Sequence, residues 1–415
     1  MKFGYITFST EEQQLVHDVI QQMSQGAIDE LGLGKIRDAF SDEMFPGMST
    51  LHRKSKYFVL LPTLYNQLSQ TDIKERSSIP NLIRQWEINL TIQLLNGVDN
   101  AENKGITGSS LSLDDLRNGK YVKVTPTSIY LSSLKYFGLV DGQIGLVDLI
   151  YQQSVKNKES VLKIKRTKDD IAEDPDGSDT NIGSSQNFLS FPGYNMDKGT
   201  AINLTLTDYE SRILKQQIIK HCKYDDGRIK LYGYILMNNK IDIKDDFFDM
   251  EEIIDNFPKE YDYLKKTYYL ASHFSKWAHL MNTYYRLAFF RKVNNENKAS
   301  LLEKHIDEIL SNRDYPSKEQ IEEILDHVRL SKDFIDNNHL CEFCRKASNL
   351  LHQQQKEGDL IALIDQREKE IKSNHHKIGN ERYKNTDFNG NPAYFTYRWN
   401  DIAYSMIYDI RNPQK

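Results

Sequence analysis

The feature that most constrains this chain is a long apolar stripe between Pro258 and Arg291. Its apolar and aromatic side chains recur at alternating steps of four and three residues: Leu270, Phe274, Trp277, Met281, Tyr284 and Ala288. Side chains at this spacing share one face of an α-helix, so the stripe predicts one long helix with a buried face. The lysines, histidines and arginine within the segment exclude a transmembrane span. We expect this helix to form the core of the C-terminal half.

Shorter segments with helical periodicity lie on both sides of the stripe, and together they predict a mainly α fold. In the C-terminal part the predicted helices are Thr207–His221, Lys298–Ser311, Ser317–Leu330, Asn338–Gln355 and Asp359–Lys372. In the N-terminal part they are Thr10–Met23, Gly34–Phe45, a segment from Ser49 or Thr50 to Tyr65, and Pro80–Leu95. The C-terminal part is therefore expected to be a helical array.

A different pattern follows in the segment Tyr121 to Val147. Pro126 or Ser128 can open a helix, and Gly138 can end it in the left-handed conformation. Two short β-prone stretches then surround Asp141-Gly142, a dipeptide that favours a tight hairpin turn. A helix, a glycine stop and a ribbon are the outline of a winged helix, so we expect a winged-helix-like element in the N-terminal domain.

The segment Asp169 to Gly199 is rich in Asp, Ser, Gly and Asn and has no apolar period, which indicates a loop or linker. A chain of 415 residues is long enough for two or three domains. The predicted organisation is an N-terminal domain over 1–165, an acidic and polar linker over 166–200, and a C-terminal helical domain over 201–415.

The composition of the chain indicates its cellular compartment and the kinds of ligand that it can bind. Three cysteines without even spacing favour a reducing cytoplasm over an oxidised secreted scaffold. Since the chain has neither a signal-peptide pattern nor 18 consecutive apolar residues, we expect a cytoplasmic protein without membrane contact. The net charge of -5 is mild, so contact with a polyanion would have to come from local basic patches.

The strongest metal candidate is the group His339, Cys341, Cys344 and His352, because a Cys-x-x-Cys with flanking histidines can offer zinc four ligands. On one helix, however, His352 would lie about 12 Å along the axis from Cys344, too far to share an ion. Ordinary buried thiols are therefore the favoured interpretation, and no metal ligand is assigned.

Sequence signatures of catalysis give no positive support for an enzyme. Asp365, Glu370 and Lys372 match an acid followed by Glu-x-Lys, but their spacing is that of a solvated helix with pairs such as Glu368 and Lys372. The chain contains no Gly-x-Ser-x-Gly and no His-Glu-x-x-His. We therefore assign no catalytic residue and no cofactor.

Basic and polar side chains provide a candidate nucleic-acid interface. Arg37, Arg53, Lys54 and Lys56 surround the turn at Phe45-Pro46-Gly47, where a helix N-terminus adds partial positive charge. Lys123, Ser132 and Lys135 would lie on or beside the exposed face of the winged-helix recognition helix. The alternative is that Arg37 pairs with Asp38 or Asp42 and that the remaining cations are simply solvated.

Five ordered blocks resemble an uncharacterised prokaryotic family with a domain of unknown function. They are Gly32 to Pro62 (GLGKIRDAF, then FPGMST), Arg84 to Gly108, Pro126 to Val140, Leu204 to Ile218, and Arg367-Glu368 followed by Tyr397-Arg398-Trp399. The chain departs from the pattern at Leu131, where the family has Trp. Members resemble components encoded near helicases and phospholipase-D-like nucleases in antiviral-defence neighbourhoods, so the resemblance implies a nucleic-acid setting.

These observations lead to one main hypothesis and two rivals. The main hypothesis is a non-catalytic subunit of an antiviral-defence or DNA-processing complex, which contacts DNA and a protein partner such as a helicase or nuclease. The first rival is a metal-dependent nuclease or another enzyme with an unfamiliar site, for which the carboxylates would be Asp38, Asp42, Glu43, Glu87 and the Asp365 group. The second rival is a pure protein scaffold.

Overall fold

The computed structural model describes residues 29–98, 105–169, 187–196, 200–330, 334, 337–353, 356–388 and 391–414. The α-helices of these residues are α1 (Gly34–Met44), α2 (Tyr57–Leu68), α3 (Ile79–Asn96), α4 (Leu113–Arg117), α5 (Pro126–Tyr136), α6 (Leu146–Asp169), α7 (Asp208–His221), α8 (Leu231–Met237), α9 (Glu251–Asp255), α10 (Asp262–Lys292), α11 (Glu296–Asn312), α12 (Lys318–Arg329), α13 (Asn338–Leu351), α14 (Glu357–Lys372) and α15 (Tyr404–Arg411). The predicted mainly α fold class is confirmed. The predicted helix Thr10–Met23 lies outside the described residues.

The long apolar stripe forms α10, as its spacing predicts. All six residues of the stripe are buried, and α10 packs against α11, α12, α14 and α1. The contact with α1 joins the N-terminal and C-terminal parts of the chain, because the ring of Phe40 lies 6.4 Å from that of Phe274. No described helix is both long and apolar enough to cross a membrane.

Apolar packing continues from the N-terminal part into the C-terminal part. One cluster of buried residues extends from Leu31 to Ile410. Phe188, Phe191 and Met196, which fall in the segment that composition assigned to a linker, are also buried in this cluster. Residues 170–186 and 197–199 of that segment lie outside the described residues. The predicted domain boundaries near 165 and 200 stay a prediction.

The stretch around Asp141-Gly142, where the winged-helix ribbon is expected, lies between two helices. α5 begins at Pro126 behind the cap Thr125, and Gly138 follows it with a φ of +64°, as the sequence indicates. Beyond Gly138, α6 starts at Leu146, and the one pairing of this stretch that the structure describes is the isolated bridge between Val140 and Phe188. α6 starts there because its buried residues Leu146, Leu149 and Ile150 follow a helical rather than an alternating period. The winged-helix-like element stays a prediction.

Candidate nucleic-acid interface

The glycines of the Gly-Leu-Gly motif position the start of α1. Gly32 has a φ of +72°, and a Cβ atom there would lie 3.1 Å from Nη2 of Arg367. The carboxylate of Asp29 accepts hydrogen bonds from the backbone N–H groups of Leu33 (2.9 Å) and Gly34 (2.6 Å). A carboxylate at a helix N-terminus stabilises the helix. The motif is therefore explained by local structure, without a bound phosphate.

Two carboxylates of α1 share the guanidinium of Arg398. Nη1 of Arg398 donates to Oδ1 of Asp42 and, at 2.8 Å, to the carbonyl oxygen of Met48. Nη2 lies 3.9 Å from Oδ1 of Asp38. The guanidinium of Arg398 thus lies between two carboxylates, in the position that a metal ion would take if they formed a nuclease site. Among the residues that the structure describes, no group of three or more His, Cys, Asp or Glu side chains could hold a metal ion.

The backbone that carries Arg398 is unusual. Tyr397 and Arg398 have φ angles of 52° and 64°, in the left-handed region that non-glycine residues seldom adopt. A π-helical turn, Trp399–Ala403, follows at once. Trp399 fixes the segment by donating from Nε1 to the carbonyl oxygen of Lys244 at 2.9 Å. Strained residues and π-turns persist where the surroundings determine them, and both are frequent at functional sites.

Glu43, next to Asp42 on α1, joins three other elements. Its Oε2 lies 2.8 Å from Nε2 of His327, and its Oε1 accepts hydrogen bonds from Tyr224 (2.9 Å) and Thr267 (3.0 Å). Burial raises the pKa of Glu43, but the hydrogen bonds and the charge of His327 outweigh burial, so the pKa is lowered. We call Asp38, Asp42, Glu43, His327 and Arg398 the α1 acid junction.

Beside this junction, a phenol hydroxyl of α5 holds the basic loop that precedes α2. The hydroxyl of Tyr130 accepts from the backbone N–H groups of Arg53 (3.0 Å) and Lys54 (3.2 Å) and contacts the carbonyl oxygen of Lys54 at 3.2 Å. His52 stacks on the Tyr130 ring, with the ring centres 4.6 Å apart. Arg53 is exposed and Lys54 is half-buried, and the structure therefore fixes two adjacent cations at the surface. We call them the cationic corner.

The other residues of the expected interface have different surroundings. Ser132, on the same helix as Tyr130, and Lys123, just before that helix, are exposed. Arg37 forms an ion pair with Asp38, and its guanidinium lies 5.5 Å from the centre of the Phe395 ring. Arg37 is therefore directed toward the C-terminal segment that carries Arg398.

Lys56 and Lys135 must be removed from the expected interface. The Nζ atom of Lys56 is buried and lies 2.7 Å from Oε2 of Glu210. Lys135 is also buried, and its Nζ donates to the carbonyl oxygen of Ile144 at 3.0 Å. Because neither ammonium group can reach a phosphate, both predictions are corrected: these lysines join elements of the fold.

The remaining carboxylates of the nuclease hypothesis lie on other helices and have their own partners. Glu87 of α3 is buried and accepts the backbone N–H of Thr127 at 2.6 Å, and burial raises its pKa to about 7. Asp365 of α14 pairs with Lys369 at 2.7 Å. Glu368, expected to pair with Lys372, instead accepts a hydrogen bond from the Tyr285 hydroxyl at 2.7 Å.

The cysteine and histidine candidates are also accounted for. Cys341 and Cys344 are buried on α13, and burial raises the pKa of the Cys344 thiol. His352 contacts the carbonyl oxygen of Pro316 at 3.2 Å. A contact that sequence reasoning missed joins His279 to His305, whose Nε2 atoms are 2.9 Å apart. Both helices are recognisable in the sequence, but no sequence signal shows which of their faces meet.

Comparison with known proteins gives one family match and no activity. No curated protein and no solved structure matches the chain at a significant level. Three of the five resemblance blocks, those that begin at Gly32, Arg84 and Pro126, fall in the first 151 residues. Residues 1–151 match the model of a family of unknown function, DUF6361.

Proposed function

We propose that this chain is a non-catalytic subunit of a DNA-processing or antiviral-defence complex, and that it contacts DNA through the cationic corner and a protein partner through other surfaces. The defence setting and the choice of a helicase or nuclease as partner rest on the family resemblance alone. The DNA contact rests on geometry. Its residues are Arg53 and Lys54, in the loop before α2, and the exposed residues Lys123, before α5, and Ser132, on α5, are the further proposed contacts.

The observation that carries the proposal is the clamp of Tyr130 on the basic loop. A cation that binds phosphate loses side-chain and backbone freedom, and that entropy opposes binding. In this loop the backbone of both cations is already held by one hydroxyl, with bonds of 3.0 and 3.2 Å. The cost of ordering is therefore smaller than for cations on a free loop, as in other preorganised sites.

The α1 acid junction supports a structural role for the neighbouring acids. Arg398 joins Asp42 to the Met48 carbonyl, immediately before the basic loop, so the junction supports the position of that loop. The carboxylates of Asp38 and Asp42 both face Arg398. The guanidinium of Arg398 therefore offsets the negative charge of these two carboxylates near the cationic corner.

The test is a salt series of binding titrations with duplex and single-stranded DNA. The unmodified chain should bind at low salt and weaken as salt rises. The double variant Arg53→Glu, Lys54→Glu should bind more weakly and reduce the salt slope by about 1 for each phosphate that the protein no longer neutralises. A matched control is Lys259→Glu, Lys304→Glu, which reverses two exposed cations elsewhere and should leave binding unchanged.

Two outcomes would overturn the proposal. One is the absence of any binding by the unmodified chain at low salt. The other is magnesium-dependent DNA cleavage by the purified chain that Asp42→Asn abolishes, which would favour the nuclease. The subunit role itself requires a defined partner that stays bound after nuclease treatment of the complex.

A further inference from the structure

A cleft of about 600 Å³ lies between α10, α11, the end of α13 and the start of α14. Buried aliphatic side chains form its floor, among them Leu287, Ile306 and Leu360. Clefts of about 300–1,000 Å³ between helices are common binding sites for small organic molecules, because most of such a ligand can be buried there. The cleft is therefore large enough for a small ligand with an apolar body.

A phenol hydroxyl reaches this cleft without a hydrogen-bond partner. Tyr284 of α10 lines the cleft and is only 4% exposed, and its exposed part includes the hydroxyl oxygen. None of the residues that the structure describes forms a hydrogen bond with this hydroxyl. A buried tyrosine hydroxyl usually has a partner, because an unmade hydrogen bond costs free energy. The hydroxyl of Tyr284 is therefore available to a ligand in the cleft.

Four charged residues around the cleft balance one another. Nη2 of Arg291, on α10, lies 2.7 Å from Oε1 of Glu303, and Nη1 lies 2.9 Å from Oε1 of Glu357. Lys356, next to Glu357 in the chain, also lines the cleft and adds a second positive charge. Two carboxylates thus stand beside two cations. This group has no net charge with which to select a ligand.

Two further charged residues of the lining have opposite signs and lack partners. Asp307 of α11 and Arg313, the residue that ends α11, are exposed, and neither forms an ion pair within the described ranges. The six residues between them correspond to about 9 Å along the helix axis. His352 also lines the cleft, and its ring contacts the carbonyl oxygen of Pro316 at 3.2 Å. A ligand that matches Asp307 and Arg313 carries one positive and one negative group.

We propose that the cleft binds a short apolar peptide with free termini. Its ammonium group donates to the Asp307 carboxylate and to the Tyr284 hydroxyl oxygen, and its carboxylate pairs with the Arg313 guanidinium. An ammonium group has three donors, and the arginine fork can bind a carboxylate through two parallel hydrogen bonds. Two or three residues span about 7–10 Å, which fits the separation of the two charges along α11.

The apolar floor and the charge balance favour this class of ligand over simple ions. A peptide with apolar side chains covers the aliphatic floor, and its two termini match Asp307 and Arg313 at once. A purely anionic or cationic ligand would leave one of these two residues without a partner. Binding at this cleft does not depend on the DNA contact at the cationic corner, and DNA titrations should be unchanged in variants of the cleft.

The experiment measures binding to the full chain by isothermal titration calorimetry, with leucyl-glycyl-leucine as the probe. The same tripeptide is also used with an acetylated N-terminus and with an amidated C-terminus. The free tripeptide should bind, and each blocked form should bind about 10-fold more weakly, because each lacks one charge-assisted hydrogen bond. In Tyr284→Phe, which keeps the ring, the free tripeptide should bind about 3-fold more weakly.

Each blocked peptide is matched with one variant. Asp307→Asn should bind the free and the acetylated tripeptide alike but should still prefer the free carboxylate to the amide. Arg313→Gln should show the opposite pattern. The control is Lys304→Gln, which alters an exposed lysine of α11 outside the lining and should bind all three peptides as the unmodified chain does. Since these residues are exposed, thermal unfolding should be unchanged in all three variants.

Two results would overturn the proposal. The first is the absence of binding of the free tripeptide at about 1 mM, the weak end of the usual range for small ligands. The second is equal binding of the free and the blocked peptides by the unmodified chain, which would show that the cleft takes apolar side chains without recognising either terminus.

Discussion

Two sites join the N-terminal and C-terminal parts of the chain through opposite charges, and they differ in access to water. The Lys56–Glu210 pair is dry, since the two side chains are 2% and 3% exposed. Arg398 in the α1 acid junction is 17% exposed, and its partner Asp42 is 41% exposed. A dry pair is costly to break, whereas water can replace the partner of a wet one. The dry pair should therefore contribute more to the stability of the fold than the wet junction does.

Removing the cation of the dry pair should have the largest effect. Lys56→Met leaves the Glu210 carboxylate buried without its charge partner, and it also removes the bond from Nζ to the Thr205 carbonyl at 2.8 Å. Breaking one side of a buried pair costs about 3–5 kcal/mol. Urea denaturation should show a fall of that size in the free energy of unfolding.

The matched control for this loss is the double variant Lys56→Met, Glu210→Gln, which removes both charges. It should recover much of the stability, because no buried charge is left unpaired. A single variant within about 1 kcal/mol of the unmodified chain would contradict the assignment of a dry structural pair.

At the wet junction, Glu43→Gln tests how much a partly solvated carboxylate contributes. The variant keeps the shape of the side chain but loses the charge beside His327, 2.8 Å away. Hydrogen bonds to a charged group contribute about 1.5–3 kcal/mol, so we expect a loss in this range at neutral pH, less than for Lys56→Met. Equal losses at the two sites would remove the distinction between them.

The stability at acid pH gives a second test of Glu43. Its pKa in the folded chain is lowered from the ordinary value of 4.5, so its contribution is present above that pH and is lost as the pH falls below it. The difference in unfolding free energy between the unmodified chain and Glu43→Gln should shrink over that range. Glu381→Gln, which alters an exposed glutamate, should show little difference at any pH.

His52 is packed between the α1 acid junction and the cationic corner. The pH dependence of stability tests whether water reaches this position. Burial, with smaller contributions from Arg398 and Arg53, lowers the pKa of His52 from 6.5 to about 3. As the pH falls below 6.5, His52 takes up a proton in the unfolded chain but stays neutral in the folded chain. The free energy of unfolding therefore decreases as the pH falls. Between pH 7 and 5 this amounts to about 2 kcal/mol.

The measurement compares the unmodified chain with His52→Phe by urea denaturation at several pH values. Any fixed cost of the substitution cancels, since only the change with pH is read. Glu87, whose pKa is raised to about 7, acts in the opposite sense and is present in both chains. Parallel curves for the two chains would show that His52 titrates normally, and that water reaches this position.

Local features could be predicted from the sequence, whereas pairs across the chain could not. α1 begins at Gly34 and α12 has Ser317 as its cap, as their patterns indicate, because caps and apolar spacing are local. Lys56 meets Glu210 across 154 positions, and Arg398 meets Asp42 across 356. Periodicity carries no information on such pairs, so Lys56 looked like a surface cation.

The residues of the candidate nucleic-acid interface show the same limit of prediction from sequence. Spacing places Ser132 on an exposed face of α5, as the structure does, but it gives no sign that the Tyr130 hydroxyl holds the backbone of Arg53 and Lys54. Tyr130 falls in one of the blocks that resemble a family of unknown function, but the resemblance gives the residue no role.

The smallest effect on stability is expected at the cationic corner itself, and this completes the contrast with the dry pair. Arg53 is exposed and Lys54 is half-buried, so Arg53→Glu, Lys54→Glu should change the free energy of unfolding by about 0.5 kcal/mol or less. Thermal and urea unfolding of the variant should therefore match those of the unmodified chain while DNA binding falls. A loss of stability as large as that of Lys56→Met would mean that these cations support the fold. Weaker DNA binding by the variant would then result from unfolding, not from the removal of two phosphate-binding cations.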